Sequence, residues 1–344
     1  MNGAGPLAVP GAGGGGTVAP AAAGAPASVL ELSGLHVWFD APDGRSAHAV
    51  RGVDLSVAAG ERVGVLGESG CGKTTMILAA MGLLPSFASV AGAVRLDGVD
   101  VLARGEQSAR SVRWTHAAMV FQGAMSAMNP VYRVGKQIAD PMVVHGLRSK
   151  SQARQRTGEL LELVGLPSSV ARRYPHELSG GMRQRAVIAM ALACDPKVLF
   201  ADEPTTALDV VVQAQIGDLL ADLAERLGLA LVMVTHDIGM IAETSARSVV
   251  MYAGVVVEDG PTFEVLTAPL HPYTRLLLEA TPVVNTDRPL VSIPGTPPRL
   301  DQPVSGCAFA ARCPYDFEAC NVRPRLSGDG HVAACHALDQ GRLP

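Results

Sequence analysis

Residues 67–74 read Gly67-Glu68-Ser69-Gly70-Cys71-Gly72-Lys73-Thr74, between the apolar run Arg62-Val63-Gly64-Val65-Leu66 and the helical-looking Thr75-Met76-Ile77-Leu78. The spacing G-x-x-x-x-G-K-[ST] suits phosphate: glycines let backbone N–H groups turn inward, a helix N-terminus adds positive potential, Lys73 supplies a cation and Thr74 a magnesium ligand. A nucleoside triphosphate is the first ligand to expect, contacted by Gly67, Ser69, Gly70, Cys71, Gly72, Lys73, Thr74 and Thr75. The bland alternative is a glycine-rich turn, which the strand and helix flanks disfavour.

A second chemical element is Lys197-Val198-Leu199-Phe200-Ala201-Asp202-Glu203, a buried apolar strand ending in two carboxylates. The first suits magnesium and the second suits polarising a water. On its own this match is weak, its bland reading being that Asp202 merely starts a turn before Pro204. A third is Leu178-Ser179-Gly180-Gly181-Met182-Arg183-Gln184-Arg185, where a hydroxyl and two glycines open a helix over 182–193; its bland reading is an ordinary N-cap.

The elements that must hold these groups follow from periodicity. Residues 29–39 and 49–57 carry β-type patterning on either side of the turn signal Ala41-Pro42-Asp43-Gly44, which predicts an antiparallel pair. From residue 60, strands at 62–66, 197–201, 230–235 and 248–253 alternate with helices beginning at 73, over 211–227 and over 238–245. That alternation predicts an α/β fold with a mainly parallel sheet. Between 122 and 185 amphipathic helix dominates, notably 151–164, so a helical insertion is expected there. Beyond residue 269 a short helix over 273–280 leads into Pro282, Pro289, Pro294, Pro297, Pro298 and Pro303 and then a cysteine-rich end, a separate C-terminal extension.

The chain has 344 residues, 48% hydrophobic content and a formal net charge of −4, enough for a large core and without a global basic field, so nucleic acid is not the expected partner. Stretches such as 186–194 are too short to span a bilayer, and residues 1–27, Ala, Gly and Pro without Lys or Arg, read as a disordered tail rather than a secretory signal. Residence in the cytosol is therefore expected. There, a disulfide framework is the less favoured use of the six cysteines.

Taken together, the Ser179 element between the glycine loop and the acidic strand end resembles the signature of ATP-binding cassette (ABC) ATPases, and the resemblance runs over residues 29–335. It implies an ABC-type P-loop NTPase over 28–268, with an antiparallel β subdomain and a helical subdomain over about 122–185. It also implies roles. Gln122 is the Q-loop glutamine, touching magnesium and the attacking water; Thr74, Gln122 and Asp202 hold magnesium; Glu203 is the general base; Lys73 and His236 face the γ-phosphate. Asp209, in Ala207-Leu208-Asp209, reaches across a dimer in which Ser179, Gly180 and Gly181 close over the partner's ATP. Adenine stacks on Phe39 or, less favoured, Trp38. One departure is Gly123, where related chains usually place an acid.

Arg173-Tyr174-Pro175-His176-Glu177, His271-Pro272-Tyr273-Thr274-Arg275, Ile293-Pro294-Gly295-Thr296-Pro297-Pro298, Gly306-Cys307-Ala308-Phe309 and Arg312-Cys313-Pro314 look like the oligopeptide and dipeptide importer subfamily. That implies a peripheral ATPase on the cytoplasmic face of the cell membrane. Its partners are two permease subunits and a homologous second ATPase, or a second copy of itself, fed indirectly by an extracytoplasmic substrate-binding protein. Residues 269–344 are its C-terminal extension. Cys307, Cys313, Cys320 and Cys335 are spaced C-x5-C-x6-C-x14-C, which by itself decides nothing. The resemblance adds a 4Fe-4S cluster as one expectation, beside zinc, with His331 or His336 replacing a cysteine, and beside reduced buried thiols. Cys71 and Cys194 are read as packing residues.

Two other functions compete. A soluble ABC ATPase acting on ribosomes or DNA would carry two cassettes or long coiled coils, and neither pattern is present. A transporter of nickel, opines, glycosides or antibiotic peptides would look the same from this subunit.

Overall fold

The computed structural model describes residues 27–123, 127–206, 208–281 and 292–343. The expected tail, apart from Ala27, and Ala207, Pro282 and Pro289 lie outside them. In chain order the elements are β1 (Ser28–Asp40), β2 (Ser46–Ala58), β3 (Arg62–Leu66), α1 (Lys73–Ala80), β4 (Ala88–Leu96), β5 (Val99–Asp100), α2 (Glu106–Val112), β6 (Ala117–Val120), α3 (Val134–Val144), α4 (Lys150–Leu163) and α5 (Gly180–Ala191). They continue as β7 (Val198–Asp202), α6 (Val210–Leu227), β8 (Ala230–Val234), α7 (Ile238–Thr244), β9 (Arg247–Tyr252), β10 (Val255–Pro261), α8 (Thr262–Thr267), α9 (Pro272–Glu279), β11 (Ser327–Asp329), β12 (His331–Ala333) and α10 (His336–Asp339).

The larger sheet runs β11-β12-β10-β9-β3-β8-β7-β6, and a smaller antiparallel sheet runs β2-β1-β4-β5. Strands β9, β3, β8, β7 and β6 are parallel. Their apolar runs serve two cores by strict alternation: Val198 and Phe200 face one cluster, Leu199 and Ala201 the other, and Val232 and Val234 oppose Leu231 and Met233 in the same way. A strand buried on both faces needs such an unbroken apolar run. One core lies toward the antiparallel sheet, where Leu32, Val37, Val53 and Leu55 point inward; the other lies under α3, α4, α5 and α6.

In the helical layer α3 packs on α4 and α5, and α5 also touches β6 and α6. Helix α4 begins with a capping box between Ser149 and Gln152. The C-terminal residues are not free-standing. Strand β12 pairs antiparallel with β10 through Glu258–Ala333 and Asp259–Val332, so the hairpin β11–β12 widens the main sheet. Arg51 of β2 donates to the carbonyls of Ala253 and Val304, tying the antiparallel sheet to the same end of the chain.

Candidate nucleotide site

Strand β3 lies between β9 and β8, and the carboxyl ends of β3, β6, β7 and β8 open onto one edge, where α/β sheets place ligands. The loop leaving β3 is shaped by glycines with positive φ: Gly67 at 147°, Gly70 at 77° and Gly72 at 107°. A Cβ on Gly67 would strike the Met251 carbonyl oxygen, and one on Gly72 would lie 2.6 Å from the Ala49 carbonyl oxygen. Glycine is therefore required at both by close backbone approach. Gly72 precedes α1, which has no side-chain cap and no acid in its first turn, leaving N–H groups for an anion. Lys73 Nζ donates to the carbonyls of Gly67 (2.7 Å) and Glu68 (2.9 Å), which fixes its charge within the loop. Ser69, Gly70 and Thr74 are exposed, Thr75 half-buried and Cys71 buried.

Across from the loop, Asp202 is 1% exposed. Burial pushes its carboxyl pKa up, opposed by a hydrogen bond from Thr74. Its Oδ1 is buried without a hydrogen-bond partner. An orphan carboxylate oxygen beside a hydroxyl fits a hard divalent cation such as magnesium. Glu203 adopts φ 45°, a left-handed conformation that glutamate seldom takes, and its N–H donates to the Val234 carbonyl at 2.7 Å. The strained turn aims its carboxylate at Gln122 Nε2 (2.8 Å) and Thr206 Oγ1 (3.1 Å), with His236 Nδ1 at 3.6 Å. Gln122, Glu203 and His236 thus meet at the ends of three different strands. Spacing did not flag Thr206; a hydroxyl three residues after an expected base was the only signal.

Ser179, Gly181 and Asp209 form a second group at two helix starts. Ser179 caps α5, its hydroxyl accepting from Met182 N–H at 3.3 Å, and Asp209 caps α6 by accepting from Val212 N–H at 3.0 Å. Helix α5 begins at Gly180, two residues before the expected start. Gly181 lets the two helix starts approach, since a Cβ there would be 2.9 Å from Val212. Phe39 is half-buried against Phe87, with ring centroids 6.0 Å apart, and borders the core that contains Val37. Trp38 instead stacks on His48 and His36 at 4.5 and 5.3 Å.

Two proteins named for peptide transport are similar to this chain along most of its length. A probable peptide ABC transporter ATP-binding protein of Sinorhizobium fredii is 46% identical over 83% of this chain and 88% of its own. The oligopeptide transport ATP-binding protein OppD of Salmonella typhimurium is 42% identical over 90% and 94%. The chain belongs to the ABC transporter ATPases of the oligopeptide/dipeptide type. Residues 50–206 of this ABC protein match the family model for ABC transporters, and residues 257–320 match that for the oligopeptide/dipeptide transporter C-terminal region. Its cassette is similar, with a TM-score of 0.60 at 29% identity over 68% of the chain and 98% of the other, to the ATP-binding cassette MJ0796, solved as a dimer in a post-hydrolysis state with ADP and phosphate.

At the far end of this ABC protein, Cys320 and Cys335 are buried and Cys307 and Cys313 half-buried, all as free thiols. The Cys307 N–H donates to the Cys320 carbonyl at 2.8 Å, and Cys313 Sγ accepts from the Tyr315 N–H at 3.4 Å. Burial pushes the Cys313 thiol up to about 11 and raises those of Cys307 and Cys335. Among the described residues, His, Cys, Asp and Glu side chains form no group of three that could hold a metal ion. The zinc alternative fares no better with histidine: His331 is held by Glu258 at 2.8 Å, and His336 lies 3.0 Å from the Val322 carbonyl. Cys71 and Cys194 are packed in the two cores, as expected.

Proposed function

We propose that this chain is the ATP-hydrolysing subunit of an ABC importer for di- or oligopeptides or similar small solutes. The observation that carries the reading is the convergence of Gln122, Thr206 and His236 on the Glu203 carboxylate, beside the orphan oxygen of Asp202. Thr74, Asp202 and Gln122 are the residues that would hold magnesium, which when bound neutralises charge on the β- and γ-phosphates. Lys73 and the loop N–H groups hold those phosphates. Glu203 takes the proton of the attacking water, Gln122 and Thr206 orient its carboxylate, and His236 donates to the γ-phosphate as charge develops.

The Ser179–Gly181 and Asp209 group is completed by a second cassette, a homologous ATPase or another copy of this chain. Val210 and Val211, 79% and 68% exposed beside Asp209, support that reading, as apolar surface at a polar site does. Phe121, Val131 and Tyr132, exposed and within about ten positions of Gln122 along the chain, suit contact with two permease subunits. Among the described residues no helix is long and apolar enough to cross a membrane, and a peripheral position on the cytoplasmic face goes with the permease contact. Phe39 is the proposed adenine platform. Residues 28–268 and 269–344 are the proposed cassette and extension.

Cys307, Cys313, Cys320 and Cys335 are kept as candidate ligands of a 4Fe-4S cluster or zinc on one observation, the Tyr315 N–H donated to Cys313 Sγ, because among the described residues these thiols form no group of three that could hold a metal ion. Iron, zinc and acid-labile sulfide assays on chain purified without oxygen test this; metal-free protein at full ATPase activity would set it aside.

Glu203→Gln tests the catalytic assignment. ATP affinity should be kept while turnover in the assembled transporter falls about a hundredfold or more. Parental turnover would refute it, and co-purification with ribosomes instead of permeases would refute the importer.

A further inference from the structure

Glu68 places a carboxylate inside a loop built for polyphosphate, a conflict of like charges that must be resolved if the loop is to work. The counter-charge comes from far along the chain. Arg312 grips Glu68 bidentately, Nη1 to Oε2 at 2.7 Å and Nη2 to Oε1 at 3.0 Å, and its side chain is only 4% exposed. The guanidinium is itself held by the Pro294 carbonyl (2.7 Å) and the Tyr252 hydroxyl (3.1 Å). The Glu68 backbone is gripped as well: its N–H donates to the Tyr273 hydroxyl at 2.7 Å. Tyr273, Tyr252 and Phe309 are almost wholly buried and pack with ring centroids 4.6 to 5.4 Å apart, so the two grips rest on one rigid aromatic wall. A planar fork fixed by four hydrogen bonds to three residues suits such a charge-neutralising post.

We infer that Arg312 and Tyr273 are positioning residues for the nucleotide loop: Arg312 neutralises Glu68, Tyr273 holds its backbone, and the ATP site is complete only with the C-terminal extension docked. The inference rests on the nucleotide-site reading of residues 67–74.

Equilibrium binding of Mg-ATP to the full-length chain tests it in the parent, Arg312→Gln, Glu68→Gln and the double variant. Arg312→Gln should weaken binding about tenfold or more, because it strands a carboxylate at the phosphates. The double variant should return to within about threefold of Glu68→Gln alone, since the offending charge is gone. A double variant as weak as Arg312→Gln would mean that Arg312 merely anchors the tail, and would overturn the inference; so would parental affinity in Arg312→Gln. If Arg312→Gln does not fold, Arg312→Lys and Tyr273→Phe take its place. Faster hydrogen exchange at 67–74 together with weaker binding in both supports the inference, and parental values in both reject it. A parent that binds no Mg-ATP sinks the nucleotide-site reading itself, a result separate from any ratio between variants.

Discussion

Residues 67–74 keep their shape through the backbone: positive φ at Gly67, Gly70 and Gly72, and close approach of the Ala49 and Met251 carbonyls. The cysteine-bearing residues 306–335 are held differently. There, side chains that cross between distant parts of the chain do the holding: Arg312 against Glu68, and His331 against Glu258. A site made of consecutive backbone groups leaves a contiguous signature, whereas one made of side chains draws its parts from anywhere in the chain. The two meet at Glu68, where a distant arginine completes a local loop.

The sharpest way to break the contrast is Gly67→Ala. Its Cβ would meet the Met251 carbonyl and lie 2.8 Å from Cys71 Sγ at φ 147°. Nucleotide binding should vanish and stability should fall by about 3 kcal/mol or more in denaturant titration. On the side-chain side, Glu258→Gln disturbs a fully buried carboxylate that accepts from the N–H groups of Leu270 and His271 and from His331. It should cost about 2 to 3 kcal/mol, read as a melting temperature lower by about 3 to 4 °C.

His271 sharpens the comparison through pH. Its Nδ1 accepts from the Tyr273 N–H at 3.0 Å, and burial lowers its pKa to about 4, so the folded chain keeps it neutral. The unfolded chain binds that proton near pH 6.5, so the stabilisation is complete above that pH and is lost as pH falls toward 4. About 2 kcal/mol should disappear by pH 4.5, and His271→Asn, which keeps an acceptor that does not titrate, should flatten the curve. The smallest effect should come from the aromatic pair. Phe39→Ala should weaken ATP binding about tenfold and Trp38→Ala less than about twofold; the reverse order would move the adenine platform to the Trp38 face.

Much of this was legible beforehand. The strands at 62–66, 197–201 and 230–235 and the long helix before residue 227 appear within a residue or two of their expected limits. Strand β4 was not anticipated, because only Val94 and Leu96 of its nine residues are buried and its exposed Ala91-Gly92 breaks alternation. Helix α3 falls within the helical insertion expected over 122–185, although Pro141 blurs its limits in the sequence, and β11, Ser327-Gly328-Asp329, reads as a turn until β12 pairs with it. The proline-rich composition after residue 269 suggested a separate piece, yet edge pairing with β10 joins it to the main sheet. Pairing along a sheet edge depends on hydrogen bonds between backbones and leaves little mark on side-chain choice.

The amino-acid sequence by itself determined the phosphate loop, the paired acids at the end of β7 and the alternating strands that hold them, because backbone conformation and burial period are local properties. Only the tertiary structure decided that Glu203 receives Gln122, Thr206 and His236 while Asp202 keeps an unpartnered oxygen. It alone placed Arg312 on Glu68, 244 positions away, because charge pairing is set by distance through space, which folding creates and spacing along the chain does not record.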